Sequence, residues 1–124
     1  MDTDELKERT LAFGVRIVKM AGALPTDTAA KIISHQLIKS GTSIGANYRE
    51  ALHASSPRHF ITTMEIAQRE ANETAYWIEL IIRTELLPES RVKAMLDECQ
   101  QLYAILTATI LTRKDNLRKD DTDK

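Results

Sequence analysis

Disulfides, flexible linkers and membrane spans are all missing from this sequence. The one cysteine, Cys99, cannot pair within the chain. Only 4 glycines and 3 prolines occur in 124 residues, of which 43% are hydrophobic and 28% charged. That composition excludes a disordered or collagen-like chain and implies an ordinary buried core. No apolar stretch reaches the ~18 to 20 residues of a membrane span, because Lys, Arg, Glu or Asn interrupts each run. The opening MDTDELKERT lacks the apolar run of a signal peptide, so the cytoplasm is the expected location. A charge excess is missing too: 17 Lys+Arg against 18 Asp+Glu leave a formal charge of -1. This argues against a broadly basic nucleic-acid surface and leaves local patches open. The length suits a single domain over 1–124, since single cores run to about 100 to 200 residues.

What is present is a helical period, repeated four times. Pro25, Pro57 and Pro88 cut the chain into four pieces of helix length. In the first, Leu6, Thr10, Phe13, Ile17, Met20 and Leu24 recur about every 3.5 residues, the spacing of a bundle seam. Ala30, Ile33, Leu37, Gly41, Ile44, Tyr48 and Ala51 repeat it in the second piece. Phe60, Met64, Ala67, Ala71, Thr74, Ile78 and Ile81 repeat it in the third. That third helix starts at Ser56-Pro57, where a serine can cap the exposed amides and a proline fits the first turn. The fourth runs Val92, Met95, Cys99, Leu102, Leu106 and Thr109 after a turn at Leu87-Pro88-Glu89. No strand pattern competes. Connections this short join antiparallel neighbours, so the sequence predicts an all-α, up-down-up-down four-helix bundle with short loops. Its core is expected over about residues 4–115, with 116–124 a mobile charged tail.

Large apolar residues also lie off the seams: Leu11, Val15, Val18, Ile61, Ile66, Trp77, Leu96, Tyr103, Ile110 and Leu111. They either widen the core face or form a subunit interface, because monomers rarely expose contiguous apolar patches beyond a few hundred Å². Gly41 and Gly45, four residues apart on a helix, read as a strip for close helix packing. They are not a phosphate loop, since no strand precedes them and Ala46-Asn47 follows.

Several patterns could carry chemistry. Glu50-x-x-His53 puts a carboxylate and an imidazole on one helix face, and Glu70-x-x-Glu73 could add carboxylates, which together define the alternative of a di-iron-like metal-dependent enzyme. A second Glu-x-x-His is lacking, because His35 and His59 follow Ile32 and Ser56. Cys99 falls on the fourth seam and reads as a small core residue. No catalytic set, cofactor site or metal site is therefore assigned. Antiparallel topology gathers Arg49, Arg58, Arg113 and other cations at one bundle end, alongside Asp2, Asp4 and the terminal aspartates. That arrangement predicts weak or no nucleic-acid binding.

The stretch from Gln36 to Ala51, QLIKSGTSIGANYREA, together with Arg69 to Trp77, REANETAYW, resembles a bacterial four-helix-bundle family. Its members are proteins encoded in intervening sequences of large-subunit ribosomal RNA genes and their relatives. The resemblance covers about Arg9 to Arg113. It implies a small cytosolic, all-helical protein that forms a homopentameric ring and has no established enzymatic activity. One branch, the accessory proteins of diversity-generating retroelements, binds a reverse transcriptase and nucleic acid through a basic surface. Within the two blocks, Ser43, Asn47, Glu50, Glu70, Glu73 and Trp77 are the expected determinants of bundle and interface specificity. The partners expected are further copies of the chain and a protein partner.

Overall fold

The computed structural model describes residues 1–122 and contains four α-helices and, among those residues, no strand. Helix α1 spans Thr3–Gly22, α2 Thr28–Leu52, α3 Pro57–Arg83 and α4 Glu89–Thr122. The starts of α1, α2 and α3 have a local chemical cause. The side chains of Asp2, Asp27 and Ser56 accept hydrogen bonds from the amides of Glu5, Ala30 and His59, at 2.8, 3.0 and 3.0 Å. These bonds satisfy donors that the first helical turn leaves without partners. Pro57 occupies the first turn of α3, as the Ser56-Pro57 pair predicts. At the other end of α3, Glu85 takes a left-handed φ of 58° and the Leu86 amide donates to the Ile81 carbonyl at 3.1 Å, reversing the chain toward α4.

Side-chain contacts fix the directions. Along α1 and α2, Thr10 faces Gly45, Gly14 faces Thr42 and Ile17 faces Gly41, so one number rises as the other falls. Thr74 Oγ1 donates to Ser40 Oγ at 2.9 Å across α2 and α3. Gln68 reaches Thr107 and Glu65 reaches Lys114 across α3 and α4. Successive helices are antiparallel, as short connections require.

The core comes from the four seams. Phe13, Ile17, Leu37, Ile44, Met64, Ile78, Leu102 and Leu106 are buried almost completely. Two seam positions differ from the sequence reading, and both by one residue: Ala21 is buried in place of Met20, and Ile110 in place of Thr109. A stripe counted at 3.5 residues per turn drifts from a helix of 3.6, and the error surfaces near the ends. The off-seam apolar set divides. Ile61 and Ile110 belong to the core, Ile66, Trp77 and Leu96 are half-buried, and Leu11, Val15, Val18, Tyr103 and Leu111 are exposed.

The fourth helix runs beyond the expected core limit. Residues 116–122 continue α4, with Leu117 packed against the core, Asp115 bonded to Arg118 and Asp121 paired with Arg58 at 3.6 Å. Residues 123 and 124 of the predicted tail lie outside the described residues. The charged sequence hides this extension because its one apolar anchor, Leu117, stands alone among polar residues. Among the described residues, no helix is long and apolar enough to cross a membrane.

Candidate interaction surface

The glycines of α2 explain how the surface is shaped. A Cβ on Gly41 would lie 2.8 Å from both Cγ1 and Cγ2 of buried Ile17, and one on Gly45 would lie 3.1 Å from Thr10 Oγ1. Side chains at these positions would hold the helices apart, so the glycine strip sets the close approach of α1 to α2. Outside this contact a valley of about 540 Å³ runs between the two helices. Gly14, Thr42, Gly45 and Ala46 are its small residues, and Leu11, Val15 and Val18 form its apolar α1 side. Those three side chains are 48, 47 and 50% exposed, and each would be more favourable removed from water. Lys19 and Arg49 also line the valley. Its lining is predominantly apolar.

The polar residues picked from the sequence form a second feature. Ser43 Oγ donates to the Lys39 carbonyl at 2.6 Å, and Asn47 Nδ2 to the Ser43 carbonyl at 2.8 Å, so both bonds stay within α2. Glu50 is exposed near the end of α2. On α3, Trp77 Nε1 donates to Glu73 Oε2 at 3.2 Å, and the Trp77 ring stands edge-on to Tyr76 with centroids 5.0 Å apart. Glu70 is half-buried, and burial pushes its carboxyl above the usual carboxylate range. Glu73 raises it further, while Lys39 and Arg69 act against the shift.

The polar links that cross between helices use other residues. Besides Ser40 and Thr74, Cys99 Sγ donates to the Ala71 carbonyl at 3.1 Å, and Arg9 holds Glu98 at 2.6 Å and Gln101 at 2.7 Å. The sequence carried a signal for the buried pair, since Thr74 is a small polar residue inside the apolar stripe of α3. Nothing in the sequence marked Arg9 and Glu98, which lie 89 positions apart.

The metal alternative is not assembled. Ser40 faces Thr74, which places Glu70 and Glu73 beside the middle of α2. In the antiparallel pair Glu70 falls level with about Ile44, so Glu50 lies six residues further along α2, about 9 Å at the helical rise. No three His, Cys, Asp or Glu side chains converge among the described residues. Burial pushes the Cys99 thiol up to about 12, which keeps it protonated at neutral pH and unfit as a nucleophile.

Nor do the three arginines form one open cationic patch. Arg58 pairs with Asp121, Arg113 lies over the Phe60 ring at 4.1 Å, and Arg49 belongs to the α1–α2 valley. Asp2, Asp4 and Arg113 all act on the Tyr48 hydroxyl, so acids and bases are interleaved at this end of the bundle.

Comparison with known proteins adds lineage to this geometry. A crystal structure from Bacteroides thetaiotaomicron VPI-5482, of a protein with unknown function from the S23 ribosomal protein family, is 40% identical to the chain. It superposes with a TM-score of 0.80 over 85% of this chain and 97% of its own. No functionally curated protein matches. The family model of the 23S rRNA-intervening sequence protein matches residues 4–108. The chain belongs to the 23S rRNA-intervening sequence protein family.

Proposed function

We propose that the chain is a non-enzymatic, homo-oligomeric binding module of the cytoplasm, serving as an accessory to a nucleic-acid-associated protein. The observation that carries this reading is the valley between α1 and α2, where Leu11, Val15 and Val18 stand half exposed over a floor of small residues. A soluble chain gains by covering such a surface, and a further copy is the partner always at hand. The family resemblance favours a ring of five. A non-enzymatic role is supported by the separation of Glu50 and His53 from Glu70 and Glu73, and by a thiol held protonated in the core. The pairing of Arg58 and the stacking of Arg113 support weak or no contact with nucleic acid.

Light scattering coupled to gel filtration at micromolar concentration tests the reading. A mass several times the 14.0 kDa of the chain is expected, and a 14.0 kDa particle would overturn it.

A further inference from the structure

A valley needs a ridge, and the surface offers several exposed apolar residues that could fill it. Outside the valley itself, the helices expose Ile32, Ile38, Tyr76, Tyr103 and Leu111. Charge separates them, because Lys19 and Arg49 line the valley and disfavour a cationic occupant. Residues three and four positions away flank a side chain on its own helix face. For Ile32, Ile38 and Tyr103 those flanking positions hold no carboxylate. Leu111 has Lys114 and Asp115 beside it and shares its groove with Arg58 and Arg118. Tyr76 alone is flanked by two carboxylates and no cation: Glu73 on one side, Glu79 on the other, with Asn72 and Leu80 completing the set.

Tyr76 is also ordered in advance. It is 56% exposed, yet its ring rests on the edge of Trp77, whose indole is tied to Glu73. An exposed aromatic fixed by its neighbours loses little freedom on binding, and aromatic anchors seated in pockets carry much of the energy of protein interfaces. A broad ring suits a floor of glycine and alanine, and the two carboxylates carry the charge opposite to that of Lys19 and Arg49. The valley belongs to α1 and α2, whereas the crevice beside Tyr76 is lined by α3 and α4. The two surfaces therefore lie on different helix pairs of one subunit.

We propose that the Tyr76–Trp77 edge of one copy docks into the α1–α2 valley of the next. This rests on the self-association reading and makes the contact head-to-tail. Such contacts join two unlike surfaces and close into a ring when the rotation permits.

Two exposed positions provide the test. Val15→Asp spoils the valley and leaves the aromatic edge, while Tyr76→Ser removes the edge and leaves the valley. Far-ultraviolet circular dichroism and a cooperative melt confirm that each variant folds, and Tyr76→Phe, which keeps the ring, should assemble like the native chain. Each disruptive variant alone is expected to weaken self-association by at least about thirtyfold, the scale of losing an interface hot spot. Mixed in equal amounts, they retain one competent contact between them and should give a species of twice 14.0 kDa. A monomeric native chain would overturn the self-association reading itself. A native assembly indifferent to Tyr76→Ser would overturn only the docking inference. So would two disrupted variants that fail to pair on mixing, since the two surfaces would then not be each other's partners.

Discussion

Substituting alanine for glycine in a helix normally stabilises it, and in α2 the sign should reverse. Gly41→Ala gains about 1 kcal/mol of helix propensity. Against this, the new methyl would lie 2.8 Å from two carbons of Ile17 and 3.2 Å from its Cβ. Ile17 is β-branched and fully buried, so it has no flexible end to move aside. Overpacking of this kind costs about 1 to 3 kcal/mol, and the net result should be a loss of up to about 2 kcal/mol. Gly14 is the internal control: its added Cβ would meet nothing nearer than 4.0 Å, and Gly14→Ala should stabilise by up to about 1 kcal/mol. Gly45→Ala should fall between them. Its Cβ would approach Thr10 Oγ1 at 3.1 Å, and that hydroxyl is held by bonds to the Leu6 and Lys7 carbonyls.

Urea unfolding followed by circular dichroism, at one fixed protein concentration, measures the series. The decisive arm is the double variant. Ile17→Ala removes both close carbons, so in that background Gly41→Ala should become neutral or stabilising even though Ile17→Ala is itself costly. A coupling energy of more than about 1 kcal/mol is expected for residues in such contact. If Gly41→Ala stabilised the native chain as much as Gly14→Ala does, the close approach of α1 to α2 would not exist.

Leu37→Ala and Leu102→Ala, each at a fully buried seam position, should each lower stability by about 2 to 5 kcal/mol in the same urea assay. Unchanged midpoints would mean that the seam register is wrong. Burial raises the Glu70 carboxyl above its ordinary 4.5, so folding favours the protonated form. Its contribution to stability is highest below that value and declines as pH rises through the folded one. Glu70→Gln should therefore raise the melting midpoint near pH 7, with the gain vanishing by about pH 4. Fluorescence anisotropy with a labelled RNA should show at most weak binding, falling roughly ten- to a thousandfold between 50 and 200 mM salt. Tight binding indifferent to salt and to the Arg49, Arg58 and Arg113 triple alanine variant would show that the contact surface lies elsewhere.

Much of the fold was legible because the seams repeat. Every seam position assigned in α2 and α3 is buried, and the Ser56-Pro57 start of α3 is found as read. The slips at Met20 and Thr109 share one cause, the mismatch between a counted stripe and the true helical period. The surface was harder to read. Ile61 and Leu11 are both large off-seam aliphatics, yet one is in the core and the other borders the valley. Side-chain chemistry is the same in the two cases, so only packing distinguishes them. The polar residues show the same limit. Ser43 and Asn47 bond within their own helix, while Ser40 and Thr74 make the buried link between helices. Hydrogen-bonding capacity was visible in all four, but the direction of each side chain was not.

Fold and candidate interface have a common origin in the α1–α2 contact. Gly41 and Gly45 allow the backbones to approach, and close approach leaves a shallow channel outside, with Gly14 and Ala46 along it and Leu11, Val15 and Val18 beside it. Larger residues in the strip would hold the helices apart and fill the channel at once. Large aliphatics on the outer face of α1 cannot turn inward, because Phe13 and Ile17 already occupy that side. Their exposure follows from the register of the helix and is not a defect of core packing. An apolar surface fixed by register persists in every copy of the chain. A partner for it would need an apolar group that seats on the small residues of the channel and charges that answer Lys19 and Arg49. Tyr76 with Glu73 and Glu79 meets both conditions on the same molecule.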